Sequence, residues 1–178
     1  MKDDMKINID KSSEKDVFIK DIRILVLIIM LGVIFHLGYS KIEIDGDSME
    51  STYKEGDEVL VNKITHKLTT PSLKEVIVFY DPVDDCILIK RIIALPHDSV
   101  EIIGGLVLVN DKPLLDEYSA TPLADHTIGE DYVNREKIYL NDDEYYVIGD
   151  NRSGTWFGVV KKENIIGTLL LLEKFSKA

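Results

Sequence analysis

One segment of the chain is apolar without a break. Residues 24–39, ILVLIIMLGVIFHLGY, carry no charged side chain, whereas charged residues crowd the part before them. The run is a little shorter than the roughly 20 residues that a membrane-spanning helix needs. Lys20 and Arg23 before it and Tyr39 at its end have side chains of the kind that reach membrane interfaces. The pattern therefore predicts a helix that meets a membrane.

Three interpretations of this helix compete. A buried core helix is disfavoured, because a helix that is apolar on every side is unusual in a domain this small. A cleaved signal peptide would be cut near Gly38-Tyr39-Ser40, where small residues stand. An uncleaved anchor needs only the apolar run and its flanking charges, and the pattern favours it. Whether the chain is ever cut after Ser40 stays open.

The rest of the chain has the short alternating or β-branched runs that are typical of strands. Gly104-Gly105 is a two-residue hairpin signal, and residues 114–136 have no clear period and are expected to form a surface insertion. The fold class predicted is mainly β, with a single N-terminal transmembrane helix followed by a compact all-β domain. Strands are predicted at residues 41–45, 58–62, 75–80, 87–93, 99–103, 106–109, 144–148 and 165–172.

The distribution of charge refines this layout. The chain has 21 Lys and Arg against 32 Asp and Glu, a net charge of -11. Residues 1–39 hold as many basic as acidic side chains, so the excess negative charge lies after the apolar run. Because basic residues favour the cytoplasmic flank of a helix, we expect a cytoplasmic tail at 1–21, an anchor in the cell membrane at 22–39 and an extracytoplasmic domain at 40–178. An acidic surface repels phosphates, so no nucleic-acid partner is expected.

Neither a metal nor another cofactor is expected. The single cysteine, Cys86, cannot form an internal disulfide or a thiolate metal cluster. The four histidines lie at scattered positions without metal-ligand spacing: His36, His66, His97 and His126.

Two residues are candidates for hydrolytic chemistry. Gly46 permits a sharp turn that would face the Ser48 hydroxyl and its backbone N–H toward one carbonyl, although an ordinary turn explains these residues better when they are taken alone. Lys90 stands among β-branched residues of a predicted strand, where burial would lower its pKa and let it act as a base. A Lys90-Arg91 pair at a sheet edge, with both heads in water, fits the spacing equally well.

Several motifs, in this order along the chain, resemble those of type I signal peptidases. They correspond to the family's nucleophile motif, the strand after it, the lysine motif and the last motif with its tail. The N-terminal anchor also matches the family's layout, so the resemblance covers nearly the whole chain. The matching segments are Gly46–Met49 (GDSM), Gly56–Lys63 (GDEVLVNK), Glu75–Phe79 (EVIVF), Ile89–Pro96 (IKRIIALP) with Asp98, Gly149–Arg152 (GDNR), Phe157-Gly158 and Glu163–Gly167 (ENIIG).

The resemblance implies a membrane-bound serine endopeptidase that removes signal peptides from exported preproteins, with Ser48 as nucleophile and Lys90 as general base. The Ser48 backbone N–H would be one oxyanion donor, and Gly46 stands where some relatives carry a serine hydroxyl as the second. Strands at 42–47 and 85–89 would hold the substrate in extended form, with pockets for small side chains. Its partners would be such preproteins and membrane lipid. The substrate-binding residues implied are Ile44, Asp45, Asp47, Met49, Cys86, Ile87 and Leu88.

The chain departs from the family pattern after Arg152. Only residues 153–156 separate Arg152 from Phe157-Gly158, so an Asp-Ser-Arg that relatives carry there is missing. In relatives a hydroxyl from this region orients the lysine amine, and Ser153, or else Thr155, would take that role here. The neighbouring residues Asp150, Asn151 and Arg152 are expected to support the site, with an ion pair between Asp150 and Arg152.

This shortened motif leads to two further hypotheses. One is an enzyme specialised for few substrates, such as pilin-type surface proteins. The other is a non-catalytic membrane-tethered assembly factor that binds exported precursors. A self-cleaving repressor-type protease is disfavoured, since the chain has neither the Ala-Gly nor the Cys-Gly bond that those proteins cut.

Overall fold

The computed structural model describes residues 11–114, 118, 123 and 133–170. The chain divides into two compact units, Met1–Gly38 and Tyr39–Ala178. The boundary falls where a helix ends and the first strand begins at the next residue.

The first unit contains one long helix. Helix α1 spans Lys11–Gly38, which confirms a helix over the apolar run. Every large apolar side chain from Val17 to Leu37 is exposed, by at least 45% of its surface. Within the part of the chain that is described, no helix is assigned the length and apolarity of a membrane span.

The second unit is mainly β, as predicted. Seven strands form one sheet in the order β1-β2-β11-β3-β4-β9-β10, and four form another in the order β7-β6-β5-β8. A helical turn, α2 (Thr65–Leu68), follows the second strand, and a 3₁₀ turn precedes the last. The strands are β1 (Tyr39–Glu43), β2 (Glu58–Asn62), β3 (Val76–Asp81), β4 (Cys86–Ala94), β5 (Ser99–Ile103), β6 (Leu106–Val109), β7 (Lys112–Pro113), β8 (Arg135–Tyr139), β9 (Glu144–Ile148), β10 (Phe157–Lys161) and β11 (Ile165–Leu170).

The hairpin between β5 and β6 is confirmed. Ile103 and Leu106 pair directly, and Gly104 and Gly105 between them have φ of 56° and 77°. Positive φ at both central residues matches the twist of the flanking strands and is easy only for glycine and a few polar residues.

Three strands were not predicted from the pattern, for local reasons. β8 is exposed at four of its five positions, so its sequence REKIY has no alternation to detect. β10 includes Gly158, and β7 has only two residues. The first strand was predicted two residues late, because its pairing with β2 starts already at Tyr39 opposite Asn62.

The expected surface insertion at 114–136 is wrong at two buried residues, whereas residues 134–136 are exposed. Leu123 and Val133 are both 0% exposed and join the apolar cluster of the smaller sheet. The Leu123 N–H bonds to the Gly105 carbonyl, and the Gly105 N–H bonds to the Val133 carbonyl, so both residues dock on the β5–β6 hairpin. Residues 115–117, 119–122 and 124–132 lie outside the described residues.

Strand β4 is the best anchored element for a functional side chain. It contributes Ile92, Ile93 and Ile89 to three different apolar clusters. Full burial of Ile92 and of Ile93 stabilises the fold by about 1.5–3 kcal/mol each, and Ile89 is half-buried. Its second half pairs with β9, whereas among the described strands Cys86–Lys90 pairs only with β3. The first half of β4 therefore has a firmly held backbone with one free edge.

Candidate active site

Ser48 lies in a tight turn that follows β1. Gly46, two residues earlier, has a backbone φ of 85°, a value that residues other than glycine rarely adopt. The Glu50 N–H closes the turn on the Asp47 carbonyl at 2.9 Å. Met49, which is 1% exposed, packs into an apolar cluster and so anchors the turn. The turn therefore presents the Ser48 hydroxyl from a fixed backbone.

The Ser48 backbone N–H remains available to a ligand. Its carbonyl accepts a hydrogen bond from the Asn151 N–H at 3.0 Å. Among the described residues, the N–H itself donates to nothing. Since the hydroxyl and the N–H belong to one residue, a carbonyl carbon approached by the Ser48 Oγ brings its oxygen near this donor.

Lys90 comes from the free-edged half of β4 and meets Ser48. Its side chain is buried, with the residue 2% exposed. Its Nζ donates to the Ser48 Oγ at 2.8 Å and to the Ile89 carbonyl at 2.9 Å. Local patterns indicated these two residues separately and the family resemblance paired them. The fold brings them into hydrogen-bond contact across 42 residues of chain.

The Ile89 carbonyl is free to hold the amine because of its place in the ladder. Both backbone groups of Ile92 bond toward the β3 side, to Glu75 and Lys74 at 2.9 Å. Backbone direction alternates along a strand, so the Ile89 carbonyl points away from β3. It therefore faces the edge that no described strand covers.

Burial lowers the pKa of Lys90 from its usual 10.5 to about 8. Electrostatic interactions with Cys86, Asp150 and Asp47 act in the opposite direction and raise this pKa, but they do not outweigh desolvation. A lysine amine with this pKa is neutral in a substantial fraction of molecules just above neutral pH. A neutral amine has the lone pair that a base needs.

The loop after β9 lies against the Ser48 turn. A Cβ on Gly149 would stand 2.5 Å from the Ser48 carbonyl oxygen and 2.0 Å from the Thr155 Oγ1, so only glycine fits there. The Asn151 side-chain amide adds a bond of 3.3 Å to the Asp47 carbonyl. Together with the bond from the Asn151 N–H, these contacts fix the turn through its Asp47 and Ser48 carbonyls.

Arg91, the neighbour of Lys90, links the same pieces through a buried ion pair. Its Nε and Nη2 donate to the two Asp150 oxygens at 2.8 and 2.6 Å, with the two side chains 6% and 0% exposed. Nη1 donates to the Lys74 carbonyl, and the Thr52 hydroxyl bonds to both Arg91 and Asp150. Burial opposes the guanidinium charge, but Asp150 outweighs it and raises the pKa of Arg91.

The ion pair differs from the one predicted. The sequence-based prediction joined Asp150 to Arg152, whereas the structure joins the Asp150 carboxylate to Arg91. The two charges of that pair come from β4 and from the loop after β9, 59 residues apart in the chain, and nothing in their spacing predicts the contact. Arg152 is itself buried in the loop after β9, with 4% exposure.

The described hydrogen bonds of the Lys90 amine involve neither of the hydroxyls that were predicted to orient it. Ser153 is exposed, and its N–H donates to the Asn151 Oδ1 at 3.3 Å. Thr155 is buried against Gly149, and its Oγ1 donates to the Trp156 carbonyl at 3.3 Å. Trp156 packs its ring on Phe79, with the centroids 5.4 Å apart. In the described part of the chain, the acceptors of the Lys90 amine are thus Ser48 and Ile89.

A cleft of about 360 Å³ opens beside Ser48 and Lys90, which together are called the dyad below. It runs between the segment after β1 and the free-edged half of β4, and Ser48 and Lys90 line it. Of the residues predicted to bind substrate, Asp47 and Cys86 do not line it; Ile44, Asp45, Met49, Ile87 and Leu88 do. The sequence did not indicate three apolar residues of the lining that lie outside the predicted substrate-holding strands: Val61, Val78 and Ile166.

No metal centre accompanies this cleft in the described part of the chain. Among those residues, no three His, Cys, Asp or Glu side chains come together as a metal ion would require. The chemistry available at the cleft is that of a hydroxyl, an amine and a backbone N–H.

Comparisons with known proteins place the chain in a family. The family model described as "Signal peptidase, peptidase S26" matches residues 18–172. Signal peptidase I V of Bacillus subtilis (strain 168) is 31% identical over 139 residues, covering 71% of this chain and 81% of the relative. Probable signal peptidase I-2 of Synechocystis sp. is 35% identical over 135 residues, covering 70% of this chain and 58% of the relative.

One solved structure is also similar, a signal peptidase I from Enterococcus faecalis V583. It is 25% identical with a TM-score of 0.43, and the match covers 57% of this chain and 98% of that one. The family model spans most of the chain, and the Bacillus relative aligns over four fifths of its own length. The chain therefore belongs to the signal peptidase family, peptidase S26, and is a serine endopeptidase.

Proposed function

We propose that this protein removes signal peptides from exported preproteins, with Ser48 as nucleophile and Lys90 as general base. The observation that carries the proposal is the 2.8 Å contact between the Lys90 Nζ and the Ser48 Oγ, made by a lysine whose pKa burial lowers to about 8. A serine hydroxyl is a weak nucleophile until a neighbouring base takes its proton. This pair supplies both groups.

The first chemical step follows from the two hydrogen bonds of the amine. A bond to the Ile89 carbonyl fixes the rotation of the amine, so the lone pair of neutral Lys90 is directed at the Ser48 hydroxyl. Ser48 Oγ attacks the scissile carbonyl while its proton passes to Lys90. The resulting ammonium then gives that proton to the departing amino group of the mature protein.

The acyl-enzyme is resolved by the same pair. Lys90, neutral again, takes a proton from a water molecule that attacks the ester carbonyl and returns it to the departing Ser48 Oγ, so the signal peptide leaves with a carboxylate and the serine hydroxyl is restored. In both steps the Ser48 N–H, which donates to nothing among the described residues, is available to the oxyanion. Some relatives have a serine hydroxyl as the second oxyanion donor at the position of Gly46. Gly46 has no side chain and cannot supply that donor.

The substrate is proposed to bind as an added strand. Ile87 lies at the same alternation as Ile89, so its backbone N–H and C=O also face the free edge of β4. Ile44 and Met49 contribute apolar walls to the cleft, which favours small apolar side chains near the cut. Cys86 and Asp47, which lie outside the lining, would contact substrate only beyond it.

Membrane attachment through α1 is the second part of the proposal. Support comes from the apolar side chains that the helix exposes over Val17–Leu37 and from the uncharged run 24–39. Lys20 and Arg23 would extend to the cytoplasmic interface, which leaves residues 40–178 outside the cytoplasm. An external protease added to intact spheroplasts should then digest residues 40–178; protection of that part would contradict this topology.

The catalytic assignment is tested by cleavage of a preprotein with an Ala-x-Ala site by the full chain in detergent. Ser48→Ala and Lys90→Ala should each abolish cutting. Ser51→Ala and Lys54→Ala, which change exposed residues of the same segment, are the matched controls and should cut normally. Cutting by either dyad variant at the rate of its control would rule out this mechanism.

The range of substrates needs a cellular test. The short segment 153–156 motivates specialisation for few exported proteins, such as pilin-type surface proteins. Comparison of exported-protein N-termini in wild-type cells and in cells carrying Ser48→Ala should reveal uncut signal peptides on a small set. Uncut peptides on most exported proteins would instead indicate a general enzyme. Binding of precursors with no cutting by the wild type would favour the assembly-factor alternative.

A further inference from the structure

One side chain from the connection between β7 and β8 reaches the Arg91 ion pair. The ring of Tyr118 lies over the guanidinium, with the Arg91 Cζ 3.5 Å from the ring centroid. The two residues border a cavity of about 30 Å³, roughly the volume of one water molecule. Leu114 and Ile93 also line it. The ring and the guanidinium thus border the same small space beside the ion pair.

Tyr118 covers the part of the guanidinium that hydrogen bonds cannot reach. The edges of the planar group are occupied by Asp150, Thr52 and the Lys74 carbonyl. Its face offers no donor, and an aromatic ring is the partner that suits such a face. Ring and hydrogen bonds together enclose the charge on its edges and on one face.

Arg91 in turn touches each piece that sets the geometry of the dyad. It follows Lys90 directly on β4. Its partner Asp150 lies between Gly149 and Asn151, whose backbones contact the Ser48 carbonyl. Its partner Thr52 lies on the segment that leaves the Ser48 turn. A shift of the guanidinium would therefore move the base and the nucleophile relative to each other.

We propose that Tyr118 is a positioning residue for the peptidase reaction, whose ring keeps water from the Arg91–Asp150 pair and so holds the Lys90 strand in register with the Ser48 turn. This inference rests on the proposed function, because the reaction it affects is the one assigned to Ser48 and Lys90. Tyr118 acts through Arg91, and it does not line the cleft. Its loss should therefore lower kcat and leave KM little changed.

The test compares Tyr118→Ala, Tyr118→Phe and a control in the full chain. Tyr118→Ala should lower kcat roughly tenfold, as expected when a partly buried cation loses its aromatic cover. Tyr118→Phe keeps the ring and should restore wild-type kcat. Tyr139→Ala removes a tyrosine that is 73% exposed on β8 and should change nothing. All rates are divided by the fraction of chains that a serine-directed acylating probe labels.

Salt dependence separates positioning from general damage. An ion pair that water can reach is screened by salt, whereas a sealed pair is screened much less. The kcat of Tyr118→Ala should therefore fall further between low and high ionic strength, while the kcat of the wild type and of Tyr118→Phe stays nearly constant. If Tyr118→Ala does not fold, Tyr118→Leu replaces it and should show the same fall and the same salt dependence.

The outcomes that overturn the inference are distinct from those that overturn the function. Wild-type kcat and a flat salt profile in Tyr118→Ala or Tyr118→Leu would overturn it, while an inactive Ser48→Ala kept the proposed function intact. A Tyr118→Phe as impaired as Tyr118→Ala would also overturn it, because the hydroxyl and not the ring would then matter. Cutting by Ser48→Ala would overturn the proposed function itself.

Discussion

Lys90 and Arg91 are adjacent cations on one buried strand, and the fold treats them in opposite ways. The Lys90 amine meets only neutral acceptors, Ser48 and Ile89, and burial lowers its pKa to about 8. Arg91 meets both oxygens of Asp150, and its pKa is raised. Alternation of the strand sends the two side chains to different faces of the sheet. One face therefore holds a reactive amine, while the other holds a permanent charge that fixes the structure.

The largest effect on activity should come from replacing Lys90 with a side chain whose charge is as permanent as that of Arg91. Lys90→Arg keeps a positive charge that cannot be given up at any working pH, so the Ser48 hydroxyl has no base. We expect kcat/KM for preprotein cleavage to fall by about 10³-fold or more. Lys54→Arg, at an exposed site, is the control. Retention of a tenth of the wild-type rate would show that Lys90 does not act as a base.

Breaking the Arg91–Asp150 ion pair should lower the stability of the fold. Asp150→Asn leaves Arg91 buried without a counter-charge, which should lower the free energy of unfolding by about 3–5 kcal/mol. Equilibrium unfolding of the full chain in detergent measures this. Asp84→Asn, at an exposed position, should change little. A loss below about 1 kcal/mol for Asp150→Asn would mean that water already reaches the pair.

Removing the Lys90 amine should have the opposite effect and raise the free energy of unfolding. The folded chain holds Lys90 at a pKa near 8, against 10.5 when unfolded, so protonation favours the unfolded state. Lys90→Met should therefore raise the free energy of unfolding at pH 6–7 by on the order of 2 kcal/mol. The gain should shrink as pH rises from about 8 to 10.5. Destabilisation at pH 6–7 would mean that the cost of burying this charge has been overestimated.

The smallest effect concerns the hydroxyl that joins the ion pair to the Ser48 turn. Thr52→Val removes bonds to both Arg91 and Asp150, and should lower the free energy of unfolding by about 1–2 kcal/mol. Thr70→Val, at an exposed site, is the control. In a double-mutant cycle with Asp150→Asn the two losses should not add, because both variants remove the same bond. Additive losses would place Thr52 outside the network.

The comparison between the two cations also marks how far the sequence could be interpreted. Local patterns were enough for the mainly β fold, for the hairpin at Gly104-Gly105 and for proposing Ser48 and Lys90 separately. The strand pattern left open whether Lys90 and Arg91 are buried or lie at a sheet edge with both heads in water. It could not name Asp150, because that choice depends on how β4 and β9 are paired.

Other features escaped the sequence for similar reasons. The Ile89 carbonyl holds the lysine amine because of its direction in the ladder, and a backbone group leaves no residue type to recognise. Leu123 and Val133 are buried although no period surrounds them, because they dock singly on a hairpin. Tyr118 was hidden in the same weakly patterned segment. Its contact with Arg91 exists only in three dimensions.

The central claim is that burial lowers the pKa of Lys90 enough for a substantial fraction of the amine beside Ser48 to be neutral just above neutral pH. The most direct measurement is the titration of lysine Cε resonances by NMR in the full chain with ¹³C-labelled lysine, where loss of one signal in Lys90→Met identifies Lys90. Its pKa should be about 8, with the rate of cleavage rising over the same pH range. A Lys90 resonance that titrates near the ordinary 10.5, or a rate that is constant through pH 8, would contradict the account.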